Sequence, residues 1–121
     1  MAHIISIPTI TDHRGNLSVL EKILPFEIKR MYYIYDVPNI NITRAGHKHI
    51  KNIQALISIA GKCEVIVKTN ETFTQFILDK PNICLILNPE DWHTLENFEQ
   101  GTVLVVLASE YFDEKDYIDE I

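Results

Sequence analysis

The sequence has few of the features that mark thiolate-metal, disulfide-rich, membrane or nucleic-acid-binding proteins. It has only two cysteines, Cys63 and Cys84, and no CxxC spacing. Both lie in apolar runs, which favours buried free thiols in a reducing cytoplasm over a disulfide. No apolar run is long enough to span a bilayer, and the first residues lack the pattern of a signal peptide. A net charge of −6 argues against binding to nucleic acid or anionic membranes.

Short β-rich runs dominate what remains. The 121 residues, 46% hydrophobic and 23% charged, suit a single domain, 1–121, around one core. Strands are predicted over residues 3–7, 17–21, 29–37, 44–49, 53–60, 63–68, 73–78, 83–88 and 102–109. Many short strands separated by Gly, Pro, Asn or Asp predict an all-β fold, a small antiparallel jelly-roll barrel. The tail "DEKDYIDEI" is predicted to form one helical turn or a short helix.

The segment "RAGHKHIKNIQ" contains two histidines one residue apart. Residues i and i+2 of a strand share a face, so His47 and His49 project together. With His93 they offer three imidazoles to a metal, but Gln54 stands where a ligand glutamate is expected. We therefore favour general acid–base catalysis, in which two histidines move protons between adjacent carbons. Ordinary polar histidines on an exposed sheet face remain an alternative.

Three arginines indicate an anionic substrate. Arg14, Arg30 and Arg44 each lie beside a strand or turn, and arginine binds phosphate oxygens in a bidentate fork. Tyr32 and Trp92 are candidates for stacking on a base or sugar, although both also suit ordinary core or rim positions. The acidic tail is expected to be a solvated face.

Several motifs together resemble one family. "DHRGNL", "LPFEIKRMYYIYDV", "RAGHKHIKNIQ", "GKCEVIV", "NPEDWHTLENF" and "VLVVLASEYFDEKDYI" follow the order seen in the dTDP-4-keto-6-deoxyhexose 3,4-ketoisomerases. These are the FdtA-like or WxcM-like isomerases of the cupin superfamily, and the resemblance runs from about Ile4 to Ile118. It implies an RmlC-like cupin barrel, a homodimer, and no metal or other cofactor.

The same resemblance implies a reaction. The ketone of a dTDP-linked 4-keto-6-deoxyhexose moves from C4 to C3 through an enediol. The product is normally aminated next, on the route to 3-amino-3,6-dideoxy sugars of surface glycans such as O-antigen, lipopolysaccharide and S-layer glycans.

The resemblance also assigns residues. His47 and His49 match the catalytic histidine pair, one as the base and the other assisting the proton transfer. The implied substrate-binding residues are Arg14, Arg30, Tyr32, Arg44, Gln54, Trp92 and His93.

Some family members hold Tyr and Arg where this chain holds Arg14 and His93. The Arg–His set implies the galacto product, dTDP-3-keto-6-deoxy-D-galactose. This chain departs from the usual R-G-aromatic-H-A-H motif, since it reads R-A-G-H-K-H, and the loss of the aromatic at position 46 bears on sugar or nucleotide specificity.

Three other functions are compatible with the sequence. A dTDP-sugar epimerase would leave the ketone at C4. A metal-dependent cupin enzyme would need a stoichiometric metal for activity. A non-catalytic sugar-nucleotide-binding cupin would bind dTDP without turnover.

Overall fold

The computed structural model describes residues 1–121 and consists of β-strands, one 3-10 turn and no α-helix. The strands are β1 (His3–Ser6), β2 (Thr9–Asp12), β3 (Gly15–Ser18), β4 (Arg30–Ile34), β5 (Arg44–His49), β6 (Gln54–Ala60), β7 (Cys63–Lys68), β8 (Phe73–Leu78), β9 (Ile83–Leu87), β10 (Trp92–Glu96), β11 (Val103–Ala108) and β12 (Tyr117–Ile118). The chain forms no helix with the length and apolarity needed to cross a membrane.

Two five-stranded sheets face each other, and every strand pairing is antiparallel. The first sheet has the order β1-β9-β6-β11-β4, and the second has the order β12-β5-β10-β7-β8. The β2–β3 hairpin forms a separate two-stranded sheet. The predicted antiparallel all-β fold is therefore confirmed.

The main core lies between the two sheets. Leu56, Leu85 and Leu104 of the first sheet pack in one cluster with Val65 and Leu78 of the second. The opposite face of the first sheet carries a second cluster, with partly buried residues of the 20–26 segment against it. Because this sheet is covered on both sides, the apolar run of β6 is buried over Gln54–Ser58 without alternation.

Both cysteines are buried free thiols, as the sequence predicts. Burial raises the pKa of Cys63 to about 12 and that of Cys84 to about 11. Neither thiol therefore carries appreciable thiolate at neutral pH.

The tail forms a single 3-10 turn, Glu114–Asp116, which is the helical turn that its sequence predicts. The Asp113 carboxylate accepts a hydrogen bond from the backbone N–H of Lys115 and so caps this turn. β12 follows and pairs with β5, with Tyr117 opposite His49. The tail is thereby held against the strand that carries the histidine pair.

Candidate active site

A cavity of about 350 Å³ lies where the edge of the first sheet faces the second sheet. Arginine and histidine side chains form its wall, and apolar side chains form its floor. The lining residues are Arg30, Met31, Tyr32, Ile34, Arg44, Ala45, His47, Gln54, Leu56, His93, Leu95, Val106 and Tyr117. Six of the nine residues that the sequence singles out are among them.

A β-bulge in β5 sets the direction of His47. His93 of β10 pairs with His47, whereas the next residue, Thr94, pairs with Ala45, so Gly46 is the extra residue. Ala45 and Gly46 both have positive φ values, 63° and 90°. Glycine suits such a position because it has no Cβ to clash with the backbone. The bulge places the His47 and His93 rings on one face of the sheet, 5.2 Å apart between centroids.

His49 completes a cluster of three imidazoles. Its ring centroid lies 5.0 Å from that of His47 and 6.5 Å from that of His93. The Tyr117 ring packs against His47 and His49, at 4.7 Å and 4.6 Å. His49 is only 4% exposed and does not line the cavity, so it sits behind the wall that His47 forms.

A carboxylate of the tail holds His49. The Nδ1 of His49 lies 3.0 Å from Oδ2 of Asp116. The backbone N–H groups of Lys51 and Asn52 donate to the same carboxylate, at 2.8 Å and 3.3 Å. Nε2 of His49 is buried and has no hydrogen-bond partner.

Burial keeps the cavity-lining imidazoles uncharged at neutral pH. Burial, and then the neighbouring His49, lowers the pKa of His47 to about 4. Burial also lowers the pKa of His93 to about 4, although its Nδ1 donates to the carbonyl oxygen of Asp91 at 2.9 Å. An uncharged imidazole can accept a proton, so His47 and His93 are available as bases.

Opposite the histidines, Tyr32, Gln54 and Arg30 present polar groups to the cavity. The Gln54 side-chain amide donates to the Tyr32 hydroxyl oxygen at 3.1 Å. Gln54 Oε1 and Arg30 Nε are buried without partners, although unpaired buried polar atoms are costly. The Arg30 guanidinium also stacks over Tyr32, 5.1 Å from the ring centroid.

Two predicted substrate-binding residues lie outside the cavity. Trp92 points to the opposite side of its strand from His93, and its indole N–H donates to the carbonyl oxygen of Asp119 at 2.8 Å. Arg14 lies in the β2–β3 hairpin, where its guanidinium pairs with Asp12 at 2.6 Å. Neither side chain reaches the histidine cluster within one chain.

Comparison with known proteins identifies the family. The family model for FdtA, described as WxcM-like, C-terminal, matches residues 1–121. The chain belongs to the FdtA family. It is 39% identical over 117 residues to a TDP-4-oxo-6-deoxy-α-D-glucose-3,4-oxoisomerase of Aneurinibacillus thermoaerophilus, with 95% of this chain and 84% of that protein covered. The expected sugar 3,4-ketoisomerase class is confirmed.

Solved structures of QdtA, a 3,4-ketoisomerase of Thermoanaerobacterium thermosaccharolyticum, are also similar to this FdtA-family chain. A double variant in complex with TDP has a TM-score of 0.94 and 41% identity, covering 98% of this chain and 87% of that chain. A histidine-to-asparagine variant in complex with TDP-4-keto-6-deoxyglucose has a TM-score of 0.93 and 39% identity, with the same shares covered.

The predicted cupin barrel is confirmed by these structures and by a more distant one. A dTDP-4-dehydrorhamnose 3,5-epimerase of Bacillus anthracis has a TM-score of 0.80 at 12% identity, covering 96% of this chain and 76% of that chain. At that identity the likeness concerns the fold alone. No three His, Cys, Asp or Glu side chains of the FdtA-family chain are grouped so that they could hold a metal ion.

Sequence reasoning missed two residues beside the histidines. Tyr117 lines the cavity, and Asp116 binds His49, although their segment was expected to be a solvated acidic face. That expectation was wrong for Asp116, whose side chain is only 11% exposed. The one sequence feature that pointed to these two residues was the motif "DYI", which belongs to the motifs shared with the family.

Proposed function

We propose that this protein moves the keto group of a TDP-linked 4-keto-6-deoxyhexose from C4 to C3 of the sugar. The observation that carries the proposal is the pairing of uncharged imidazoles with two arginines around one cavity. Imidazoles suit proton transfer at carbon, and arginines suit the pyrophosphate of a sugar nucleotide.

The reaction is a proton exchange between neighbouring atoms of the sugar. The C4 carbonyl acidifies the proton on C3, and removal of that proton gives an enediol. Return of a proton to C4 leaves the carbonyl at C3. His47 is the base in this proposal, because it lines the cavity whereas His49 lies behind it and assists.

Because the carbonyl moves, a proton must also pass from the oxygen on C3 to the oxygen on C4. Tyr32 is suited to carry this proton, because its oxygen accepts the hydrogen bond from Gln54 and its own hydrogen stays free. It donates to the oxygen on C4 and recovers a proton from the oxygen on C3, which returns the phenol to its protonated form. Burial raises the pKa of Tyr32, which keeps the phenol protonated. Unpaired Oε1 of Gln54 would accept a hydrogen bond from a sugar hydroxyl.

The proposed product is the galacto isomer, TDP-3-keto-6-deoxy-D-galactose. Arg14 and His93 are the pair that the family resemblance associates with this configuration. Arginine and histidine are also the residues that replace a tyrosine and an arginine in the QdtA double variant. The buried position of His93 in the cavity wall supports a role beside the reacting carbons.

The reaction is tested by incubating the purified protein with TDP-4-keto-6-deoxyglucose and following the sugar by NMR. We expect a new ketone signal at C3, with the configuration at C4 read from proton couplings. A product that keeps its ketone at C4 would identify an epimerase. Unchanged substrate with retained TDP binding would identify a binding protein instead.

The proposed assembly is a homodimer in which the β2–β3 hairpin packs on a second copy. The hairpin pairs with no other strand, and Ile10 and Leu17 on it are 63% and 58% exposed. An isolated hairpin is marginally stable in water, and exposed apolar side chains of this size indicate a covering partner. A second copy is the partner that explains both features.

If Arg14 binds substrate, it must do so in the cavity of the partner copy, because it does not reach its own. Two inactive variants, Arg14→Ala and His47→Asn, are then expected to complement each other. After mixing and reassembly, the mixed dimers hold one intact site, which restores about a quarter of wild-type activity. Activity is measured by product NMR after joint refolding.

The separately refolded variants serve as controls and should stay inactive. If sedimentation shows that the mixture forms dimers but no activity returns, Arg14 does not act across the interface. A monomeric wild-type protein would contradict the homodimer itself.

The proposed setting is the cytoplasm, where Cys63 and Cys84 stay reduced. A 3-keto sugar nucleotide is a substrate for amination at C3. We therefore propose that an aminating step consumes the product on the way to 3-amino-3,6-dideoxy sugars of surface glycans.

A further inference from the structure

We propose that Asp116 is a positioning residue that fixes the tautomer of His49 and stabilises its protonated form, so that His49 acts as the proton relay behind His47. The inference rests on the proposed function, since it assigns the assisting role within the same site. It depends on the hydrogen bonds of one carboxylate and on one unpaired ring nitrogen.

The carboxylate of Asp116 is a fixed acceptor. Its Oδ1 accepts a hydrogen bond from the N–H of Lys51, and its Oδ2 accepts one from the N–H of Asn52. The backbone carbonyl oxygen of Asp116 accepts a third, from the N–H of Ile50, at 3.0 Å. These backbone donors follow His49 directly in the chain, so the carboxylate is anchored to the turn that ends β5. Its side chain is 11% exposed, which keeps the contact with His49 out of bulk water.

The contact determines which nitrogen of His49 carries hydrogen. A carboxylate only accepts, so Nδ1 of His49 donates to Oδ2 across the 3.0 Å contact. In the neutral ring, Nε2 is then a free acceptor. That atom is buried and has no protein partner, and the His49 ring lies 5.0 Å from the His47 ring between centroids. An acceptor in this position is suited to take and return a proton.

Burial and the neighbouring groups shift the pKa of His49 in opposite directions. Burial lowers the pKa of His49, and Arg30 of β4 acts in the same direction. The hydrogen bond that His49 donates to Asp116, and the negative charge of that carboxylate, raise it. The other titratable groups packed against the ring are His47, His93 and Tyr117. Among the titratable groups around the ring, only Asp116 favours the imidazolium.

Nitrogen NMR of histidine-labelled wild-type protein tests the inference without substrate. We expect His49 to carry its neutral-state hydrogen on Nδ1 and to have a free Nε2. A His49 protonated on Nε2 would overturn the proposal even if no variant of Asp116 folds. This measurement also stands if the protein fails to isomerise the sugar, so it separates failure of the inference from failure of the proposed function.

Kinetics of Asp116→Asn test the role in turnover. Removing the charge should lower the pKa of His49 further and lower kcat about 10- to 100-fold. KM should change little, because Asp116 does not line the cavity. The titration of His49, followed by nitrogen NMR, should move to lower pH, since a weaker base stays unprotonated further into acid.

Asp113→Asn is the matched control. It removes a carboxylate from the same segment, keeps a side-chain oxygen that can cap the 3-10 turn, and leaves the His49 contact intact. We expect kcat to stay within about twofold of wild type and the pKa of His49 to be unchanged. Equal losses in both variants would mean that Asp116 only docks the tail, and no loss in Asp116→Asn would also contradict the proposal.

Discussion

Replacing His47 with asparagine is expected to lower kcat for ketone migration by about 10³-fold, within the usual range for loss of a general base. Asparagine keeps a polar side chain of similar size in the wall but cannot take a proton from C3. His47 is the cavity-lining imidazole nearer to His49, with ring centroids 5.0 Å apart against 6.5 Å for His93. Turnover by NMR and TDP affinity by calorimetry together measure the effect.

Affinity for TDP should remain within about threefold of wild type, because Arg30 and Arg44 are unchanged. His3→Asn is the matched control, since this histidine is exposed on β1 outside the cavity. It should leave both quantities unaltered. If His47→Asn retains its rate while His49→Asn loses it, the roles assigned to the two histidines must be exchanged.

The wild-type pH profile provides an independent check on the same residue. Burial lowers the pKa of His47 to about 4, so the base is unprotonated throughout the neutral range. kcat/KM should therefore hold as pH falls from 7 and decline only as pH approaches that value. A decline centred near the ordinary pKa of histidine would show that the base is not desolvated.

Periodicity in the sequence predicted most of the scaffold. β5, β7 and β8 have the bounds that were predicted for them. In β7 and β8, apolar or alternating residues fill the strand and turn residues flank it. β10 was missed although it lies between β5 and β7. Its sequence, WHTLE, has no apolar run and follows the turn "NPED", so local pattern favours a loop and only pairing with both neighbours makes it a strand.

The site was predictable where its residues share one strand. His47 and His49 follow from the two-residue period of β5, but the bulge at Gly46 that aims them depends on the register with β10. The contact of His49 with Asp116 joins residues 67 positions apart, and the acidic tail gives no local sign of it. Arg14 and Trp92, which the family motif singled out, lie outside the cavity, so their part in substrate binding stays a prediction.

Replacing Gly61 with alanine is expected to destabilise the fold by about 3–5 kcal/mol, combining backbone strain with overpacking. Gly61 lies in the turn between β6 and β7 with a φ of +75°, where any Cβ is strained. A Cβ there would lie 2.6 Å from Cα of Thr102, which is a backbone atom. Because domains are stable by only about 5–15 kcal/mol, urea unfolding should show the loss clearly.

Thr102 cannot move aside without breaking other bonds. Its hydroxyl accepts from the N–H of Lys62 at 3.0 Å and donates to the carbonyl oxygen of Lys62 at 2.9 Å, and the residue is 3% exposed. Gly101→Ala is the matched control, since its φ is +86° but no atom lies within 4 Å of the added Cβ. It should cost only about 1–2 kcal/mol for the left-handed backbone. If both variants lose the same free energy of unfolding, the turn at position 61 must shift to make room for the new Cβ. Backbone strain alone would then account for the loss.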